Sequence, residues 1–234
     1  MAEESMLYRM VVDDISQVRA SRFLRGYLER SDIIYKVADS LSFGDDAVHE
    51  AYAPYHNGQV RFTLHQSMFI KLAEDCKLKW EISRCPQNGF PSAVVRIGRF
   101  YFTDHYGTGS HDITCLNPSL MRSQNAEVNL RLTQGSLFEG PFDDRKLRGA
   151  DNIYGNFIHG CRGTGKDFAV YGFARLAFPC ATNAKTAEEA QSKLRFVETH
   201  NLYDVLESVV ARENQDRSSQ RSVRIVVPKI KKQQ

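Results

Sequence analysis

No apolar run in the 234-residue chain approaches the roughly 18 residues that a membrane-crossing helix requires. Cysteine is sparse: Cys76, Cys85, Cys115, Cys161 and Cys180 are scattered, odd in number and never arranged as C-x-x-C. That excludes a disulfide-stapled secreted fold, a dithiol redox motif and a ribbon-type zinc site. There is no G-x-S-x-G elbow, and no cysteine stands in a motif that lowers its pKa, so nucleophilic catalysis has no support. The opening MAEESMLYRMVVDD carries acids where a secretory leader carries a basic region and a long apolar core. The expectation is a soluble, cytoplasmic protein with reduced thiols.

What is present is globular. Hydrophobic residues make up 42% and charged residues 25%, a balance that forms a core and excludes wholesale disorder. The net charge of +3 is unevenly spread. Residues 1–50 hold six Lys/Arg against ten Asp/Glu, and residues 51–100 hold seven against three. After Asp216 come Arg217, Arg221, Arg224, Lys229, Lys231 and Lys232 with no acid among them. Such a tail follows nucleic acid, an acidic partner or solvent alone.

Residues 15–41 have helical periodicity: Phe23, Leu24, Tyr27 and Leu28 share one side, and Arg19, Arg22, Arg25 and Arg30 the other. Ser31-Asp32 reads as the cap of a second short helix. A further helix is predicted over 64–76. KWEISRC and SAVVRIGRFYFTDHY are β-branched and aromatic, with Asn88-Gly89 as a turn between them and Gly98 as a bulge. VNLRL (128–132) reads as one more strand, 105–126 as loop and 139–151 as a polar connection. Thr186 with Glu189 makes a capping box, and Asn201 caps a helix expected to stop near Asn214. The sum is an α+β fold: N-terminal helices, a central mainly antiparallel sheet and C-terminal helices, as one domain over 1–214. A basic linker and tail, 215–234, follows, in which SVRIVV has strand character.

The stretch GCRGTGKD (160–167) approaches a phosphate cradle. Gly160, Gly165 and Lys166 fit G-x-x-x-x-G-K, but Asp167 occupies the hydroxyl position, and DFAVYGFARLAFP after it reads as strand where the cradle needs a helix. A β-hairpin with a glycine-rich tip is the expectation. KDFAVYGF (166–173) also matches four of the seven specified places of an RNA-recognition strand, with Val170 where a base would need an aromatic ring.

Three chemistries have candidates. A basic surface of Arg96, Arg99, Arg162 and Lys166, joined by Arg221, Arg224, Lys229, Lys231 and Lys232 of the tail, suits nucleic-acid phosphates. A zinc-type site is offered by His105, His111 and Cys115 on one loop, with His159 and Cys161 at the hairpin base. A nuclease-type unit is offered by Asp143, Asp144 and Lys146, with Asp151 or Glu139 as a further ligand for a divalent metal. The favoured reading is a non-enzymatic nucleic-acid-binding module. The alternatives are a metal-dependent phosphodiesterase or nuclease, and an interaction subunit that docks a protein partner through its C-terminal strand.

Overall fold

The structure, a computed structural model, describes residues 4–43, 53–84, 89–107, 119–133, 141–161, 171–181, 186, 189 and 194–223. Three helices open the chain: α1 (Met6–Gln17), α2 (Ser21–Phe43) and α3 (Ala53–Asp75). Strands β1 (Lys79–Arg84), β2 (Pro91–Ile97) and β3 (Phe100–Tyr106) follow, then α4 (Leu120–Leu130) and the short α5 (Asp144–Arg148). Strands β4 (Ile153–Cys161), β5 (Tyr171–Ala181) and β6 (Leu194–Asn201) lead into α6 (Leu202–Val223). The six strands form one sheet in chain order. Every neighbouring pair is antiparallel except β3 and β4, which run parallel. The fold is α+β, with helices at both ends. No helix among the described residues is long and apolar enough to cross a membrane.

One face of the sheet carries the main core. Leu7, Val11 and Ile15 of α1, Phe23, Leu24 and Tyr27 of α2, Phe69 and Leu72 of α3, and Leu202, Val205 and Val209 of α6 pack on Val95, Phe100, Phe102 and Phe157. Phe23, Phe69 and Phe157 meet edge to face at 5.3–5.9 Å, a geometry worth about 0.5–1.5 kcal/mol per pair beyond area burial. Gly26 lets α2 and α3 approach, because a Cβ there would stand 2.6 Å from Leu72 Cδ2. The other face is covered at β4 and β5 by α4, where Ala126 meets Tyr154 and Ala181.

Several elements depart from local expectation. Helix α2 runs through Ser31, which is buried, because Ile34 and Tyr35 extend the same apolar stripe into the core. Val128–Leu130 form the last turn of α4 rather than a strand; five residues cannot separate the two periods. Gly98 is the first central residue of the β2–β3 hairpin turn, at φ +58°, where two-residue turns take glycine, and is not a bulge. Asp14 fills the space beside it and accepts from Arg99 N at 2.9 Å. Helix α6 passes Asn214 without a break and continues to Val223, since nothing in NQDRSSQRS is a strong helix breaker. Asn201 caps the last helix as read, its Oδ1 accepting from Tyr203 N, and Thr186 Oγ1 accepts from Glu189 N, one of the two bonds of a capping box.

Pro179 lies inside β5 and brings no N–H to its ladder, so the β4–β5 pairing stops at Asn156–Ala177. Asn129 of α4 fills the gap. Its Nδ2 donates to the carbonyls of Tyr154 and Pro179, each at 2.7 Å, and its Oδ1 accepts from Tyr154 N at 2.9 Å. Replacing Asn129 by Ala orphans three buried backbone groups and should cost roughly 2–4 kcal/mol in urea unfolding. A loss below about 1 kcal/mol would show that the seam does not depend on this amide.

Candidate functional site

The β4–β5 hairpin is present, and β5 is strand from Tyr171, so no helix follows the glycine-rich stretch as a phosphate cradle requires. Its tip, 162–170, lies outside the described residues, and with it Arg162 and Lys166.

A buried polar cluster stands instead on the helix-covered face, at the carboxyl ends of the parallel pair. Asp104 of β3 pairs in register with Phe157, and His159 lies two residues further along β4, so both side chains leave the same face as neighbours on a diagonal. His65 reaches them from α3. All three are buried. Their ligating atoms lie within 4.8 Å of one another, the only such group of His, Cys, Asp or Glu among the described residues.

The sequence builds this spot by putting polar residues into apolar phases. Along β3, Phe100, Phe102 and Asp104 alternate onto the core face. Along α3, His65, Met68, Phe69 and Leu72 follow the spacing of one buried stripe. Gln66 locks the register between the two elements: its Oε1 accepts from Ala93 N at 2.7 Å, and its Nε2 donates to the carbonyl of Asp104 itself at 3.3 Å.

Asp104 Oδ1 accepts the Tyr27 hydroxyl at 2.5 Å. Asp104 Oδ2 faces His65 Nδ1 at 3.6 Å and His159 Nε2 at 3.5 Å, too far for good hydrogen bonds. Tyr35 Oη lies 2.8 Å from His159 Nδ1. The two imidazoles stack with centroids 3.7 Å apart and planes 5° from parallel. Among the described residues neither ring nitrogen of His65 and not Asp104 Oδ2 has a hydrogen-bond partner. Leaving such groups unsatisfied in a core costs about 1–3 kcal/mol each.

Burial drives the electrostatics. His65 is pushed down to about 3 by desolvation, then by His159 and Arg61, against the opposing pull of Asp104. For Asp104, burial alone raises the carboxyl, but His159, His65 and the Tyr27 hydroxyl outweigh it and hold it at about 2. Near neutral pH the site contains a carboxylate beside a neutral His65 imidazole. Arg61 lies one helical turn before His65 and stands over the rings of Tyr35 and Tyr106, at 5.4 and 5.5 Å. Arg61 and Tyr106 are half-buried, so this side of the cluster leads toward the surface.

Of the zinc-type candidates whose side chains are described, His159 belongs here and His105 does not. His105 follows Asp104 directly and therefore points through the opposite face, where Thr103 Oγ1 lies 2.7 Å away and Arg122 Nη2 3.3 Å. A site joining His105 to His159 is thus blocked by the sheet. His111 and Cys115 lie outside the described residues, as does the side chain of Cys161. The nuclease-type unit serves α5: Asp143 is its N-cap, accepting from Arg145 N at 2.8 Å and Lys146 N at 3.2 Å, and Lys146 Nζ donates to Thr133 O at 2.7 Å. Asp144 is exposed in the first turn. Of the basic surface, Arg99 makes a bidentate pair with Asp14 at 3.0 and 3.2 Å, and Arg96 donates to Asn152 at 2.8 Å. Arg224, Lys229, Lys231 and Lys232 lie outside the described residues, as does the side chain of Arg221.

No protein-family model, curated protein or solved structure matches the chain. Function must be argued from the site.

The lowered histidines set an acid limit on stability. His105 on the opposite face is also held well below its ordinary value, by burial first and then by the Arg122 charge. Unfolding lets both rings bind protons near pH 6.5 that the folded state refuses, so their contribution is complete above that pH and is lost as pH falls below it. His65 alone should make stability fall by roughly 1–1.4 kcal/mol per pH unit between about pH 6 and 4.5, with His105 adding in the same direction. His65→Leu should remove the His65 share of that slope in denaturant titrations across the window. An unchanged slope would show that His65 titrates normally.

Proposed function

We propose that the protein is a metal-dependent hydrolase in which His65, Asp104 and His159 hold one divalent transition-metal ion. The observation that carries this reading is the convergence of two imidazoles and a carboxylate within the buried core, with three of their polar atoms left without hydrogen bonds among the described residues. Ligands 2.0–2.2 Å from a tetrahedral ion stand roughly 3.3–3.6 Å apart. The spacing from Asp104 Oδ2 to His159 Nε2, 3.5 Å, matches that requirement.

An ion takes the in-plane lone pair of each imidazole, and two parallel rings cannot both aim at one point. To hold an ion, one ring would have to turn out of the stack; His65, which no hydrogen bond among the described residues holds, would be the one to turn, since Tyr35 holds His159. A metal on His159 Nε2 would leave Nδ1 to donate to Tyr35 Oη, the outer-shell arrangement that orients metal-bound histidines. Tyr27 does the same for Asp104 through the oxygen that faces away from the imidazoles.

Three protein ligands are one fewer than a structural zinc site uses, which leaves a position for water. Two nitrogens and one oxygen suit zinc, manganese, iron or cobalt. The ion would lower the pKa of bound water to about 7. Such an ion would supply the nucleophile by activating water and would polarise the bond to be cleaved, with His65, Asp104 and His159 holding it. Asp104 would be engaged as a ligand and by the Tyr27 hydroxyl, so it is not the candidate for the base.

A nucleic-acid surface on Arg96 and Arg99 is the weaker reading, since both guanidinium groups already bond side chains of the fold.

Purified protein should carry about one transition-metal ion per chain by elemental analysis. The stripped protein should take up Zn²⁺ or Co²⁺ in calorimetric titration. His65→Ala and Asp104→Ala should each weaken binding by a hundredfold or more, and Tyr35→Phe by about 10–100-fold. Wild-type protein that binds neither metal would dismiss the proposal.

A further inference from the structure

We infer that the open edge of β1 docks a second copy of this chain, pairing antiparallel with its own counterpart about a two-fold axis at Trp80, so that two six-stranded sheets join into one. β1 is an end strand of the sheet, and along Lys79–Arg84 every residue is exposed except the half-buried Ser83. Its outward N–H and C=O groups have no strand beyond them among the described residues, which makes it a template for a further strand. Trp80 and Ile82 stand opposite Val95 and Ala93 of β2, on the helix-covered face, yet they remain 41% and 43% exposed. Leu78, one residue before the strand, packs against the main core and begins this apolar row. The row thus runs from the core to a margin open to solvent.

The charges of β1 select its own copy as the occupant. Residues opposite each other in an antiparallel pair share a face of the sheet, and the two-fold axis of such a pair stands perpendicular to it. With the axis at Trp80, Lys79 lies opposite the second copy's Glu81 and Glu81 opposite its Lys79, on the face away from α3. On the other face Trp80 meets its own copy and Leu78 meets Ile82, so both faces of the new ladder are matched. Moving the axis one residue, to Lys79 or to Glu81, sets that charge against itself. Moving it to Ile82 leaves Lys79 and Glu81 with no opposite charge. Neither has an ion pair among the described residues, and in its own sheet Lys79 stands opposite Arg96, a like-charge pair that the second copy's Glu81 offsets. Lysine on an edge strand ordinarily repels another strand; an acid two residues on turns that repulsion into a register.

Sedimentation equilibrium on the full chain tests this without reference to the metal site. Wild type should pass from monomer to dimer as concentration rises. Lys79→Glu sets acid against acid at both contacts, and Glu81→Lys sets base against base. Each variant should raise the dimer dissociation constant by about 10–100-fold. An equimolar mixture of the two variants sets acid against base at both contacts again and should restore a dimer near wild-type strength, a result that misfolded variants cannot give. Wild type that stays monomeric up to about 1 mM would overturn the inference. So would variants that dimerise as wild type does, or a mixture that associates no better than either variant alone. An open series of larger species would instead put β1 of one chain on β6, the other end strand, of the next, and that outcome also removes the two-fold pairing.

Discussion

The carboxylate of Asp104 is the constraint around which this molecule is organised. A bare charge in a core of Phe23, Phe69, Phe102 and Phe157 is costly unless something answers it. Here one oxygen accepts the Tyr27 hydroxyl of α2 and the other faces His65 of α3 and His159 of β4 at 3.6 and 3.5 Å, while Gln66 holds the backbone carbonyl of Asp104. Each partner belongs to an element that also packs the main core. Displacing any one of α2, α3, β3 or β4 would therefore leave a buried charge with fewer partners. The polar cluster fixes the register of the helical layer on the sheet in a way that apolar contact, being non-directional, does not.

The parallel pairing of β3 and β4 follows the same logic. An otherwise antiparallel meander is interrupted once, and the connection between these strands carries α4 and α5. The interruption puts the carboxyl ends of two adjacent strands side by side, and Asp104 and His159 sit there, each two residues from the end of its strand. Loops diverge at such places, and ligands in sheets with parallel strands favour them. The connection is itself anchored on the opposite face by Asn129, which repairs the ladder that Pro179 breaks. One face of the sheet thus carries the candidate chemistry, and the other secures the strands that hold it.

Much of the architecture was legible in residue order. The alternation in SAVVRI and FYFTDHY marked β2 and β3, and the apolar stripe of Phe23, Leu24, Tyr27 and Leu28 marked the buried side of α2. The strand character of the residues from Tyr171 onward separated a hairpin from a phosphate cradle. Where local reading failed, tertiary contact decided. Ser31 looked like a cap but is one position in a helix whose stripe continues, and Val128–Leu130 alternated like a strand but belong to the helix that delivers Asn129. Asp143, Asp144 and Lys146 attracted a catalytic reading because a short polar motif looks the same whether it ligates a metal or caps a helix.

The candidate site was half visible. His159 was singled out, but with His105 as companion, because nearness in sequence suggested nearness in space. Strand alternation sends His105 the other way, to Arg122 and Thr103. Asp104 and His65 did leave a trace: each is a polar residue at a position whose phase is apolar, in Phe100-x-Phe102-x-Asp104 and in the stripe through Phe69 and Leu72. Residue order alone settled which faces of strands and helices would be buried, because that depends only on the two backbone periods and on the free energy of removing apolar area from water. Only the packed structure settled which buried polar groups meet. A carboxylate and two imidazoles from three separate elements come together through the pairing of β3 with β4 and the docking of α3, and neither contact is encoded within any one segment.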